Sequence, residues 1–183
     1  GFGINNMKLN IQLTFEDFLE YQLYSSSKSK NQNKNRLISR IIIPIIYLFI
    51  SIFYFIDGGF KTGIIFLLIA AIWYFLYPFY SSWHYKHHFR KHIEENYKNR
   101  INKIVEITIG DNSLFTKENI SESKISSNDL KSLIELKNHF FVKLSTDVSL
   151  IIPKKYIENQ SKFKEILIGY GTEYVDETNW NWN

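Results

Sequence analysis

The chain has 183 residues and a formal net charge of +4, a length that suits one ordinary domain or a small domain joined to a short membrane unit. It contains no cysteine, which excludes disulfides, thiolate metal ligation, a cysteine nucleophile and lipoprotein-type acylation. Mean hydropathy is slightly negative, yet apolar residues concentrate between Leu37 and Tyr80 and the cations flank that stretch, so the charge points to membrane orientation and not to nucleic acid.

Residues 1–7 read as a tag remnant or an extension, and no signal peptide is expected, because the first long apolar run begins beyond residue 36. Residues 8–36 are expected to form a strand, a helix and a basic linker. Leu9, Ile11 and Leu13 alternate with polar residues, as in a strand with one buried face. Thr14 is a good N-cap for a helix over Phe15–Tyr24, whose early acids Glu16 and Asp17 suit the helix dipole. Ser25 to Asn35 is polar and basic and reads as a linker.

Residues 37–80 read as a two-span transmembrane hairpin. Leu37–Ile56 carries one charge, Arg40, close enough to its start to snorkel toward headgroups, and Gly63–Tyr80 carries none. Roughly 20 apolar residues cross a bilayer core of about 30 Å. Pro44 and Pro78 sit toward the outer ends of the spans, and the short Asp57-Gly58-Gly59 turn forces antiparallel neighbours. Lys28, Lys30, Lys34, Arg36 and Arg40 precede the first span, and Lys86, Arg90 and Lys91 follow the second. The positive-inside rule then places both termini in the cytoplasm, and the heavy use of Ile, Asn, Lys, Phe and Tyr points to an AT-rich bacterial genome and so to a bacterial inner membrane. Trp73, Tyr74, Tyr77, Tyr80 and Trp83 form an interfacial belt. The competing reading is a buried hairpin of a soluble protein, which fits poorly with helices apolar on every face.

Residues 81–102 read as a helical extension of the second span. From Lys103 the apolar period changes to two, giving expected strands at Lys103–Ile109, Ser113–Glu118, Ile120–Ile125, Ser132–Leu136, His139–Leu144 and Ser149–Ile152. A last helix is expected over Asn159–Ile168, followed by a tail over residues 169–183. Leu9, Ile11 and Leu13 need a partner, so the N-terminal strand is expected to join the C-terminal sheet.

The order of these parts resembles the YcxB-like family of bacterial membrane proteins over about residues 8 to 168. The resemblance rests on the Thr14–Tyr24 helix, the two spans, the Ile107-to-Ile120 strand pair, Ser127-Asn128-Asp129-Leu130, Phe140–Leu144 and, most specifically, Ile151-Ile152-Pro153-Lys154-Lys155-Tyr156. Where the family often carries a tryptophan, this chain has Ser-Ser-Asn. The resemblance implies a fold class of membrane α+β. In it a transmembrane hairpin carries a cytoplasmic, pleckstrin-homology-like antiparallel β domain over residues 103–168, closed by a C-terminal helix. It implies architecture more than activity.

Three sets of side chains are candidates for function. His84, His88 and His92 recur at helical spacing on one face, as metal ligation would need, although histidines also line membrane interfaces without a metal. The expectation is no metal and no cofactor. Lys86, Arg90 and Lys91, with Lys154 and Lys155, could attract anionic headgroups or a partner, or serve only as topology determinants. Asp129 and Asp147 lie in turn-like contexts with no paired carboxylate, and no catalytic residue is expected. The functional expectation is a non-enzymatic membrane protein whose β domain binds a protein or lipid partner at the cytoplasmic face. The alternative is an immunity protein against a membrane-acting secreted toxin. Membrane lipids, a protein partner or toxin, and a second copy of the chain are the partners this allows; nucleic acid is not among them.

Overall fold

The computed structural model describes residues 7–119 and 121–182. Ile120, Asn183 and the segment before Met7, where most of the expected tag remnant falls, lie outside the described residues. The chain divides into two compact units, one of residues 7–21 with His92–Asn181, the other of Gln22–Lys91 with Trp182.

The first unit is built on two four-stranded sheets. β1 (Met7–Gln12) pairs antiparallel with β2 (Ile104–Ile109), from Met7 opposite Ile109 to Gln12 opposite Ile104. The N-terminal strand thus joins the C-terminal sheet, as its alternation requires. β3 (Ser113–Lys117) and β4 (Glu122–Ser126) complete this sheet in the order β1-β2-β3-β4. In the second sheet β5 (Leu130–Glu135) pairs with β6 (His139–Leu144), and β6 with β7 (Ser149–Pro153), all antiparallel. A helix near the C-terminus (Gln160–Gly169) is capped by Asn159, whose side chain accepts from the Lys162 amide.

A last strand (Glu173–Asp176) runs parallel to β5, so the second sheet is mixed where an antiparallel meander was expected. The helix between β7 and this strand supplies the crossover that parallel pairing demands. Periodicity could not show it, because four residues are too few to display alternation. The inward faces of both sheets and the Gln160–Gly169 helix share one core, with Ile107, Ile109, Leu114, Leu133, Phe140, Val142, Ile152, Phe163 and Leu167 buried. Phe163 is fully buried, and its ring lies 5.1 Å from that of Phe140.

Helix α1 (Phe15–Lys28) opens on a reciprocal cap. Thr14 donates its amide and hydroxyl to the Asp17 carboxylate at 2.7 and 2.8 Å. The expected linker over Ser25 to Asn35 is helical instead. α1 runs to Lys28, Ser29 alone breaks the helix, and its side chain caps α2 (Lys30–Ile56) by accepting from the Gln32 amide. Asn33 also reaches back to the Ser27 carbonyl at 2.7 Å. Polar composition here marks exposure and not coil, since Lys, Gln and Ser are tolerated in helices.

α2 and α3 (Phe60–Asn96) are both long and apolar enough to cross a membrane. Pro44 and Pro78 are carried inside them without interrupting either helix. Gly58, at φ +83°, makes the turn that L side chains resist. At Gly63 a β-carbon would fall 2.6 Å from the Phe55 ring, and the Ser51 hydroxyl donates to the Gly63 carbonyl at 2.7 Å. Glycine at this point therefore allows the close approach of the two helices. The Tyr54 and Phe66 rings stack 5.7 Å apart. The expected helical extension is the continuous end of α3, which stops at Asn96.

Truncation of Phe163 to Ala should destabilise the first unit by about 3–5 kcal/mol, read as a fall in the unfolding midpoint of the full chain in detergent.

Candidate functional site

The charged groups buried in the first unit gather at two points. Glu135 ends β5 and is 7% exposed, within an otherwise apolar Leu133-Ile134-Glu135-Leu136 run. Lys154 Nζ donates to it at 2.7 Å, Lys164 Nζ at 3.1 Å and the Tyr174 hydroxyl at 2.6 Å. One carboxylate therefore joins β5 to the turn after β7, the Gln160–Gly169 helix and the last strand. Burial pushes its pKa up, but the bonds from Lys154, Tyr174 and Lys164 outweigh that and hold it at about 2. The same bond raises the Tyr174 hydroxyl to about 12. A carboxylate so strongly bound is a weak base, so the chemistry of this group is that of a clamp.

The second point is His139, at the start of β6. Its Nε2 lies 2.6 Å from Asp17 Oδ1, and its Nδ1 lies 3.2 Å from Glu20 Oε2 in an ion-pair contact without hydrogen-bond alignment. Burial pushes the imidazole down, but Asp17 and Glu20 hold it up at about 9. Asp17 is held below the ordinary carboxylate range, its burial being outweighed by bonds from His139 and Thr14. Both ring nitrogens face carboxylates, which leaves none to accept a proton. The Tyr21 ring packs edge-on against Phe141 at 5.2 Å beside this pair, so the start of α1 is held to the second sheet by charge and by packing.

The structure treats the expected site residues unevenly. Lys154, expected as a headgroup cation, is instead committed to Glu135, with its Nζ 4.9 Å from the Phe140 ring centre. Its stem is drawn inward because Pro153 ends a buried strand, so the sequence position mimics a solvated strand end. Lys155 is exposed, over the Tyr156 ring at 4.9 Å. Lys86, Arg90 and Lys91 are exposed near the end of α3. His84 stacks on Tyr80 at 5.8 Å, His88 meets Phe89 at 5.5 Å, and His92 contacts Asn96 at 3.1 Å. Among the described residues, no group of three or more His, Asp or Glu side chains is arranged to hold a metal ion. Asp129 lies in a single 3-10 turn, and Asp147, at φ +64°, pairs with Lys143 at 3.2 Å. Sequence reasoning missed Glu135, His139, Asp17 and Glu20 as a set. The available signals were a carboxylate inside an apolar strand and the one histidine outside the α3 cluster.

Residues 109–167 match the family model described as YcxB-like protein. That segment is a YcxB-like domain. The match runs from the end of β2 into the Gln160–Gly169 helix, and so includes Glu135, His139, Lys154 and Lys164. It leaves out β1, α1, the two long helices and the last strand, although β1 and that strand extend the sheets of the YcxB-like domain. No curated protein and no solved structure shows a significant match to the chain.

Both buried charges make stability depend on pH. A histidine raised from 6.5 to about 9 contributes its full stabilisation below pH 6.5 and loses it as pH rises through 9. H139Q should therefore cost of order 3 kcal/mol at pH 6 and distinctly less at pH 10, measured by denaturant unfolding. Glu135, lowered from 4.5 to about 2, contributes above pH 4.5 and loses its contribution as pH falls toward 2. E135A should cost of order 3 kcal/mol at pH 7, because it leaves Lys154 half-buried without its carboxylate, and the difference from wild type should shrink in acid.

Proposed function

We propose that the chain is a non-enzymatic protein of the bacterial inner membrane, with both termini cytoplasmic. In this reading α2 and α3 cross the bilayer as a hairpin, and the YcxB-like domain, of pleckstrin-homology-like type, binds a protein or lipid partner at the cytoplasmic face. The observation that carries the reading is uncovered apolar surface. Only 11% of the apolar window of each helix is buried, and Phe49, Phe75 and Phe79 are 69%, 69% and 76% exposed. A helix hydrophobic all round is stable in lipid or in a large core, and so much bare aromatic and aliphatic surface in water would drive aggregation.

Charge supports the orientation. Lys30, Lys34, Arg36 and Arg40 lie in the first turns of α2, and Lys86, Arg90 and Lys91 near the end of α3, while the opposite end of the pair carries only Asp57, in the turn, and Lys61, in the first turn of α3. The exposed cations of the expected set that suit a partner or anionic lipid are Lys86, Arg90, Lys91 and Lys155, each worth about 1 kcal/mol near an anionic surface.

The full chain expressed in bacteria should remain in the membrane pellet after alkaline carbonate washing and should enter solution only with detergent. Release by carbonate alone would overturn the membrane assignment. Mass spectrometry of the detergent extract then separates the partners: a stoichiometric protein supports protein recognition, a secreted toxin in particular an immunity role, and enriched anionic lipid supports lipid recognition.

A further inference from the structure

Between the charged ends of α2 and α3 lies a crevice of about 260 Å³, lined by Asn33, Arg36, Leu37, Arg40, Tyr77, Pro78 and Ser81. Two guanidinium groups reach it, and neither has a carboxylate partner among the described residues. α2 contains no acid, and α3 none before Glu94. Arg36 is oriented by Asn33 Oδ1, which accepts from its Nη2, and by the rings of Tyr85 and Trp182, whose centres lie 5.3 and 5.0 Å from its guanidinium carbon. Arg40 lies 4.4 Å over the Tyr74 ring. These contacts hold the two cations but satisfy few of their donors.

Two donors lining the crevice have no hydrogen-bond partner among the described residues: Arg40 Nε and the Ser81 hydroxyl, both buried atoms, with Ser81 only 6% exposed. A buried hydroxyl and a buried guanidinium N–H are rarely left unpaired, so an acceptor is missing from the crevice. The geometry points to an anionic phosphate group as the occupant, held by Arg36 and Arg40 with the Ser81 hydroxyl as a third donor. Guanidinium matches phosphate oxygens in both charge and planar geometry. The volume is below the roughly 300–1,000 Å³ of drug-sized ligand sites, which suits a compact phosphodiester better than an extended substrate. Lys86, Arg90 and Lys91 do not line the crevice, and its arginines enter the pocket wall where those three stand on the surface. A phosphate here belongs either to an anionic lipid headgroup or to a free ion; the lipid source rests on the membrane reading above.

Native mass spectrometry of the full chain in neutral detergent, titrated with phosphatidylglycerol, phosphatidylcholine or inorganic phosphate, tests this. Wild type should retain phosphatidylglycerol over phosphatidylcholine. The R36Q/R40Q pair should weaken that binding about tenfold and S81A about threefold, while K61Q, at the opposite end of α3, should leave it unchanged. Loss in these variants without competition by inorganic phosphate assigns the lipid headgroup; inorganic phosphate binding with the same sensitivity, and no lipid preference, assigns the free ion. Equal binding by wild type, R36Q/R40Q and S81A, all with the same circular dichroism spectrum, overturns the site. S81A removes one oxygen only and keeps the test valid if the double variant misfolds. Failure of the membrane assignment is seen separately, as release from membranes by carbonate.

Discussion

The pairing of β1 with β2 is the constraint on which the rest of the chain depends. Six residues from before the long helices meet six from after them, with Leu9 opposite Ile107 and Ile11 opposite Val105. Residues 13–103 therefore form one long excursion that leaves the first sheet and returns to it. Closing such a loop costs entropy that grows only with the logarithm of its length, about 0.6 kcal/mol per doubling, so the pairing tolerates a large insertion. The junction is fixed at its neck as well: the Asn102 amide donates to the Leu13 carbonyl at 2.8 Å, with Asn102 at φ +59°, and Gln12 Nε2 donates to the Asn102 carbonyl.

The two buried charge groups depend on this arrangement. The first turns of α1 bury little apolar surface beyond Phe18 and Leu19, and Asp17 both caps the helix and meets His139. A capping carboxylate is thereby made to serve as a tertiary contact. Glu135 does the equivalent work at the far edge of the second sheet, where the last strand has four residues and little packing to hold it. In both cases a charge is tolerated inside because groups of opposite charge stand against it, two lysines at Glu135, with the Tyr174 hydroxyl as a third donor, and two carboxylates at His139. Such groups specify which elements meet more than they add stability.

The two units solve opposite problems. In the first, alternating strands turn their apolar residues to one core and leave Lys8, Asn10 and Gln12 outward. Along the apolar lengths of α2 and α3 in the second, Ser51, Ala70 and Ser81 are buried while Phe49, Phe53, Phe75 and Phe79 are exposed. Small residues at a helix interface and bulky ones outside are the pattern expected where the surrounding medium is itself apolar. Arg36 and Arg40 stand at the charged end of this interface, near Pro78.

The sequence alone determined the features that depend on local pattern. The period-two run from Lys103, the Thr14 cap and the uninterrupted apolar stretches placed all six expected strands of residues 103–152, to within a few residues at their ends, and the central part of every long helix, and they required β1 to find a partner sheet. The strand expected over Ile120–Ile125 is found at Glu122–Ser126, with Ile120 itself outside the described residues. Tertiary structure decided the features that depend on distant partners. Whether Lys154 faces solvent or Glu135 is settled by where β5 ends 19 residues earlier, and whether His139 is charged by α1 122 residues away. The parallel strand at Glu173–Asp176 exists because β5 offers it an edge, and residues 25–35 are helical because Ser29 can end one helix and cap the next. Hydrophobic periodicity is written residue by residue; electrostatic pairing and edge pairing are properties of the space between elements, and only the fold creates that space.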